Sequence, residues 1–374
     1  MNIAINTRLV LRNRLEGIGW FTYETVGRMA RNHPEHNFIF IFDRPVDPGF
    51  VFSDNVKTVV AGPPTRHPVL WYIWFEWVIP SILRKHKADL FISPDGYASL
   101  RTRVPTITVI HDLNYVYHPE YLPKLAARYF NYFIPRYASR SKRIGTVSEY
   151  SRQDIAAVYQ INPDIIDVYY NGANDLYQPV SETIKSEIRT NYTQGKDYFI
   201  FVGALSPRKN IPGLLKAYDI YRKNGGTRLL LIVGDAMHKT GEIDLCMQQM
   251  QFAGDVLFSG RLSVEELSRV MASASALVMV HFFEGFGIPL VEAMYCDVPV
   301  ICSNTTSLPE VVGDAALMCD PNDHESIATN MGKLESDETL RNQLIANGRV
   351  QRTRFSWDKS AERLWMSVEK VLSL

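Results

Sequence analysis

The chain has 374 residues, of which 46% are apolar, 21% charged and 11% aromatic. This excludes an intrinsically disordered chain and a collagen-like or coiled-coil fibre, and the length suits about two to three domains. Lys plus Arg and Asp plus Glu both number 40, so the net charge is zero, which argues against a general nucleic-acid binder.

Short apolar runs alternate with amphipathic stretches. Asn2–Asn6, Phe38–Phe42, Leu90–Ser93, Thr106–Ile110 and Arg143–Val147 read as strands. Gly19–Asn32, Leu70–Lys87, Pro123–Ser139 and Ser148–Tyr159 read as the helices between them. Such alternation predicts a parallel sheet with helices on both faces. Asn171–Pro179 is turn-rich and reads as a linker, followed by a charged helix over Ser181–Thr190.

A second series then opens. Tyr198–Val202, Leu229–Val233, Val256–Phe258, Ala276–Val280, Val298–Cys302 and Ala316–Met318 read as strands. Pro212–Arg222, Gly241–Phe252, Val264–Ala272 and Ile288–Tyr295 read as helices, and the chain reads as all helical from His324 onward. Two doubly wound domains are therefore expected, 1–178 and 179–355, with a cleft between them. Ligands of such sheets bind at the carboxyl ends of strands.

Charge and thiols divide unevenly. Residues 1–178 carry 20 bases and 16 acids, and the rest carry 20 and 24. Cys246, Cys296, Cys302 and Cys319 form no C-x-x-C pair, so a zinc ribbon or redox pair is not indicated, and scattered thiols fit a reducing, cytoplasmic compartment. Met1 leads directly into a strand, so no secretory leader is expected. The longest apolar stretch, Val69–Pro80, is broken by Glu76 and is too short to span a membrane.

The strongest motif runs from His281 to Met294, following a strand and opening a helix. Gly285 and Gly287 allow close backbone approach, Pro289 suits a first helical turn, and the free N–H groups there form an anion site. Glu284 lies in the loop and Glu292 two turns into the helix, so one can reach a ligand's near end and the other a neutral hydroxyl-bearing part. In a second motif a strand ends at Gly203, and Arg208 and Lys209 follow just before a helix. A planar fork beside a point charge suits a diphosphate. It is not a P-loop, because the second glycine of that pattern is absent.

Three weaker signals remain. His111 ends the strand Thr106–Ile110 and either points into the cleft or is a satisfied half-buried side chain. Gly17 and Gly19 begin a G-x-G-x-x-G, but position 22 is Thr and the glycines come ten residues after the first strand, too late for a dinucleotide turn. A loop that lets a substrate or phosphate approach fits better. Trp71, Tyr72, Trp74, Phe75 and Trp77 crowd one segment, and Leu122–Arg143 holds six cations and no acid. This suits either an aromatic core with a solvated cationic face, or contact with an anionic lipid surface.

Together, Glu284-x7-Glu292 with its G-F-G-I-P insert, Gly203–Asn210, His111-Asp112, Gly17-Ile18-Gly19 and Val147-Ser-Glu-Tyr-Ser resemble the retaining glycosyltransferases of family 4 over nearly the whole chain. The resemblance implies an α/β fold of the GT-B type, two Rossmann-like doubly wound parallel-sheet domains facing a cleft. The first would bind the acceptor, the second a nucleotide-sugar donor, and a last helix at 356–374 would pack back on the first.

The same resemblance implies roles. Arg208 and Lys209 would neutralise the donor diphosphate with no metal or other cofactor. Glu284 would hold the sugar hydroxyls and Glu292 the ribose hydroxyls. The amides of Phe286, Gly287 and Ile288 would face sugar and phosphate, with Gly203 beside them. His111 would stand beside the anomeric carbon, and Gly17 and Gly19 near the phosphate. The implied reaction is transfer of a hexose, mannose among relatives that build bacterial surface polysaccharide, from a GDP- or UDP-linked donor to a glycan or polyprenyl-linked glycan. The enzyme would work in the cytoplasm or at the inner membrane surface. An epimerase acting on the donor alone, or a non-catalytic nucleotide-sugar binding protein, are the alternatives.

Overall fold

The computed structural model describes residues 1–11, 15–235 and 241–373. They separate into two compact units, Met1–Asn171 with Ser356–Leu374, and Gly172–Phe355. Leu374, the last residue of the expected terminal helix, lies outside the described residues.

In the first unit the strands are β1 (Asn2–Asn6), β2 (Asn37–Phe42), β3 (Val56–Val60), β4 (Leu90–Ser93), β5 (Thr106–Val109), β6 (Arg143–Thr146) and β7 (Ile166–Val168). They lie in the order β3-β2-β1-β4-β5-β6-β7 and all pair in parallel. The sequence reading found the strands buried on both faces, but not β3 and β7. Those two are the sheet's edges: β3 has no fully buried residue and β7 spans three residues, so neither leaves a continuous apolar run.

The helices of this unit are α1 (Gly17–Asn32), α2 (Pro68–Ile73), α3 (Ile79–Lys85), α4 (Asn114–Tyr117), α5 (Lys124–Arg140) and α6 (Glu149–Tyr159). Between α2 and α3 the chain forms a π-helical turn, Trp74–Val78. Pro80 has no N–H for the carbonyl four residues earlier, so a regular α ladder cannot run through this point.

Most of the aromatic cluster is core. Trp74 and Phe75 are fully buried, Trp71 packs on Tyr97, Tyr129 and Phe130, and Tyr72 packs on Phe133. Glu76, buried among them, accepts the Leu100 amide at 3.1 Å and the Tyr137 hydroxyl at 3.2 Å. Trp77 alone of the five is exposed, with the Arg101 guanidinium 3.7 Å from its ring centre. Among the described residues no helix is long and apolar enough to cross a membrane.

The second unit holds β8 (Tyr198–Val202), β9 (Leu229–Val233), β10 (Val256–Gly260), β11 (Ala276–Met279), β12 (Val300–Ser303) and β13 (Ala316–Cys319). Their order is β10-β9-β8-β11-β12-β13, again all parallel. Its helices are α7 (Glu182–Thr193), α8 (Ile211–Lys223), α9 (Gly241–Gln249), α10 (Val264–Ala272), α11 (Ile288–Tyr295), α12 (Leu308–Val312), α13 (His324–Ser336) and α14 (Glu338–Gln351).

The last helix, α15 (Trp357–Leu372), returns to the first unit and packs along α1. Tyr169 donates to the Ser367 hydroxyl at 2.7 Å, Ser367 bonds Asp167 at 2.6 Å, and Trp365 stacks on His33. Ser148, Ser181, Ser263 and Ser356 cap α6, α7, α10 and α15, each accepting the backbone N–H three residues on.

Gly17 and Gly19 do not lie in a loop. Both are already in the first turn of α1, which begins two residues earlier than the sequence suggested. Gly17 is exposed with open space around it, whereas a Cβ on Gly19 would stand 2.8 Å from the Leu9 carbonyl oxygen. Gly19 is thus required for close packing of α1 on the β1 loop. Gly19→Ala is expected to destabilise the fold by about 1–3 kcal/mol through overpacking, read as a lower denaturant midpoint at unchanged m-value.

Candidate active site

Strand order in the second sheet reverses between β8 and β11, which puts a crevice at their carboxyl ends. The two loops leaving these strands are tied together: the Phe282 amide donates to the Arg208 carbonyl at 2.9 Å. Asn210 fixes the first loop from below. It sits in the left-handed region at φ 53°, is buried, and donates to the carbonyls of Val280 at 3.0 Å and Pro321 at 2.8 Å. Gly203, at the end of β8, also takes a positive φ, 154°.

Arg208, Lys209 and Glu284 meet in this crevice. Glu284 Oε1 receives Arg208 Nη1 at 2.8 Å, Lys209 Nζ, and His281 Nδ1 at 2.8 Å. Arg208 also reaches the Phe283 carbonyl at 3.2 Å. Lys209 is 8% exposed, Glu284 7% and His281 0%. Burial pushes the Glu284 carboxyl up, but Arg208 and Lys209 together pull it well below the usual carboxylate range. Burial, and next the Lys209 charge, push His281 down to about 3, so its imidazole is neutral. Two cations, one carboxylate and a neutral ring leave a local excess of one positive charge, which suits an anion.

The loop after Glu284 is pinned on both sides. Its amide bonds the Thr306 hydroxyl at 3.2 Å and its carbonyl accepts the Ser307 hydroxyl at 2.9 Å. The Phe286 ring turns inward onto Phe355, 5.4 Å between centres, so only its backbone can face a ligand. Gly287 caps α11 at φ 91°, where a Cβ would press on Leu308 and Met279 at 3.0 Å, and Ile288 and Pro289 form the first turn.

Glu292 lies on α11 away from this cluster, half-buried, and accepts a hydrogen bond from Tyr177. Burial lifts its carboxyl to about 7, the Tyr177 bond working the other way.

The first unit carries the remaining candidates. His111 follows β5, half-buried; its Nε2 bonds the Pro94 carbonyl at 2.8 Å and Phe21 meets its ring edge-on at 5.1 Å. A carbonyl only accepts, so Nε2 carries the hydrogen and Nδ1 keeps its lone pair. Burial lowers its pKa. His281, Asn210, Tyr177, Thr306 and Ser307 were not singled out for roles by the sequence. His281 and Asn210 lay inside motifs already noted, while Tyr177 sat in a segment that reads as linker. Among the described residues no group of three or more His, Cys, Asp or Glu is placed to hold a metal ion, and all four cysteines are buried and free.

Residues 184–351 match the family model for glycosyl transferases group 1, and residues 15–175 match that for glycosyltransferase family 4. The O-antigen chain mannosyltransferase B of Escherichia coli is 34% identical over 280 residues, covering 74% of this chain and 73% of that protein. The chain belongs to glycosyltransferase family 4. The O-antigen chain mannosyltransferase RfbU of Salmonella typhimurium is 29% identical over 75% of both chains.

Solved members of the fold superpose over nearly their whole lengths. WaaG, a glycosyltransferase involved in lipopolysaccharide biosynthesis, has a TM-score of 0.75 at 16% identity, covering 97% of this chain and 98% of WaaG. Anabaena HepE, solved with UDP and glucose, has a TM-score of 0.74 at 17% identity, covering 98% of this chain and 99% of HepE. The fold is GT-B, as the sequence implied, and the protein is a glycosyltransferase enzyme. The epimerase and binding-protein alternatives are not favoured.

The unusual group of this family 4 site is the Glu292 carboxyl. It is expected to titrate near pH 7, and Tyr177→Phe is expected to move it higher, because that hydroxyl favours the charged form. Infrared difference titration of isotope-labelled carboxyls checks both; a group titrating in the ordinary range near 4 would contradict the burial assignment.

Proposed function

We propose that this enzyme transfers mannose from a nucleoside-diphosphate mannose to a hydroxyl of a glycan or lipid-linked glycan in cell-surface polysaccharide assembly, retaining the anomeric configuration. The observation that carries the reading is the Arg208–Lys209–Glu284 cluster at the switch point of the second sheet. The names of the relatives at 34% and 29% identity supply the sugar.

In this reading the anomeric carbon–oxygen bond to the diphosphate breaks, and the departing charge is met by Arg208 and Lys209. The leaving phosphate oxygen takes the acceptor hydroxyl proton, and the new bond forms on the same face of the sugar. The two cations supply the stabilisation that a metal supplies to other phosphate leaving groups. Glu284 aligns sugar hydroxyls and Glu292 binds the ribose. The amides of Gly203 and of Phe286, Gly287 and Ile288 lie along the donor, with Gly17 near its phosphate. His111 offers its Nδ1 lone pair to the sugar beside the reacting carbon.

The first unit takes the acceptor. Its own strand order reverses between β1 and β4, where buried Arg8 pairs with Asp95 at 2.6 Å. It also presents a surface suited to an anionic bilayer. Lys124, Arg128, Arg136 and Arg140 are exposed along α5 with Tyr132 among them, and Val69 and Ile73 on the neighbouring α2 and Trp77 in the π-helical turn after it are also exposed. Cations beside exposed apolar side chains, with no acid between Leu122 and Arg143, favour the inner membrane surface over plain solvent.

The test is a panel of nucleotide-sugars with lipid-linked acceptor in anionic vesicles, with EDTA present. Mannose transfer that needs acceptor and persists in EDTA is expected, and Arg208→Ala and Lys209→Ala should each lower turnover about 10²–10³-fold. Interconversion of the donor without acceptor, or both variants turning over within about threefold of wild type, would contradict the reading. Trp77→Ala combined with Arg128→Glu and Arg136→Glu should abolish flotation with the anionic vesicles while turnover on a short water-borne acceptor persists. Unchanged flotation would remove the membrane assignment.

A further inference from the structure

Glu284 must hold a fixed pose if it is to align a sugar. Arg208 and Lys209 cannot supply that pose alone, since both are long side chains and both are needed by the leaving diphosphate. The third donor on the same carboxylate oxygen differs in kind. His281 follows β11, fully buried, and is held by one ring contact and by hydrogen bonds to the backbone around it. Phe201 meets it edge-on at 5.5 Å, and its backbone carbonyl accepts the Ser303 hydroxyl at 2.7 Å. The preceding carbonyl, of Val280, is held by Asn210 at 3.0 Å.

We infer that His281 is a positioning residue for Glu284, donating from Nδ1 to Oε1 so that Oε2 alone is left to the sugar hydroxyls. Two details support the assignment. Oε1 is where the three groups converge, His281 Nδ1 at 2.8 Å, Arg208 Nη1 at 2.8 Å and Lys209 Nζ beside them. Further, His281 Nε2 is buried without any partner. A buried acceptor left unpaired destabilises the fold, and an apolar side chain of similar shape would avoid that loss. The ring is therefore kept for its other nitrogen. The imidazole, being neutral, fixes the carboxylate without adding a further charge to the crevice.

The inference rests on the sugar-aligning role proposed for Glu284, and the experiment separates the two. His281→Phe keeps the ring and the packing on Phe201 but removes the donor. His281→Asn places an amide N–H where Nδ1 stands and omits Nε2. Transfer kinetics should show kcat for His281→Phe lowered by roughly tenfold to a hundredfold with donor KM within about threefold, and His281→Asn restored to within about fivefold of wild type. His281→Phe should melt no lower than wild type, because the orphaned nitrogen is gone.

Equal kcat in His281→Phe and wild type, while Glu284→Gln loses turnover, overturns the inference alone. Full turnover in Glu284→Gln overturns the underlying reading. Should His281→Phe not fold, His281→Leu is measured in its place against the Asn variant. Loss in both folded variants would also overturn the inference, because it would show that the ring and not its Nδ1 donor is what matters.

Discussion

The second unit is organised around one buried charge cluster. A buried cation such as Lys209 cannot stay in a low-dielectric crevice unopposed, and Glu284 opposes it while also pairing with the part-exposed Arg208. The arrangement depends on β8 and β11 being neighbours although 75 residues separate Lys209 from Glu284 in the chain. Parallel pairing across that crossover delivers both loops to the same edge, and Asn210 and the Phe282 amide lock one to the other. The surplus of one positive charge gives the crevice its chemical preference. In the proposed reaction a diphosphate would share Arg208 and Lys209 with Glu284, which keeps a further partner in His281.

Much of this was legible in the sequence, for a physical reason. Strands buried on both faces must be apolar throughout, so β1, β2, β8, β9 and β11 stood out. Glycine and proline around Glu284 marked a loop turning into a helix, and α11 begins there. The first sheet's edge strands, β3 and β7, escaped because one is nowhere fully buried and the other is three residues long, whereas β10 and β13, the edges of the second sheet, kept short apolar runs and were found. The long helix expected over Leu70–Lys87 is interrupted by a π-helical turn ahead of Pro80, and its aromatics went mainly into the core.

The site was legible as a set of residues but not as a set of contacts. Nothing in the spacing shows that Glu284 pairs with Arg208 and Lys209, because a long-range ion pair leaves no periodic signal. Asn210 and His281 sat inside motifs, yet their work is done by hydrogen bonds to carbonyls and a carboxylate far along the chain. Tyr177 was hidden by a segment whose composition is that of a linker, although its hydroxyl meets Glu292. Gly19 carries a constraint that the sequence does not show: a Cβ there would meet the Leu9 carbonyl, so packing of α1 alone already calls for glycine.

The central claim is that Arg208 and Lys209 recognise the second phosphate of the donor. Calorimetric titration of a nucleoside diphosphate and the matching monophosphate, into wild type and Lys209→Met without added metal, tests it most directly. The account predicts that the substitution weakens the diphosphate by about tenfold or more, some 1.4 kcal/mol, and leaves the monophosphate within about threefold. Equal weakening of both nucleotides, or of neither, would contradict it.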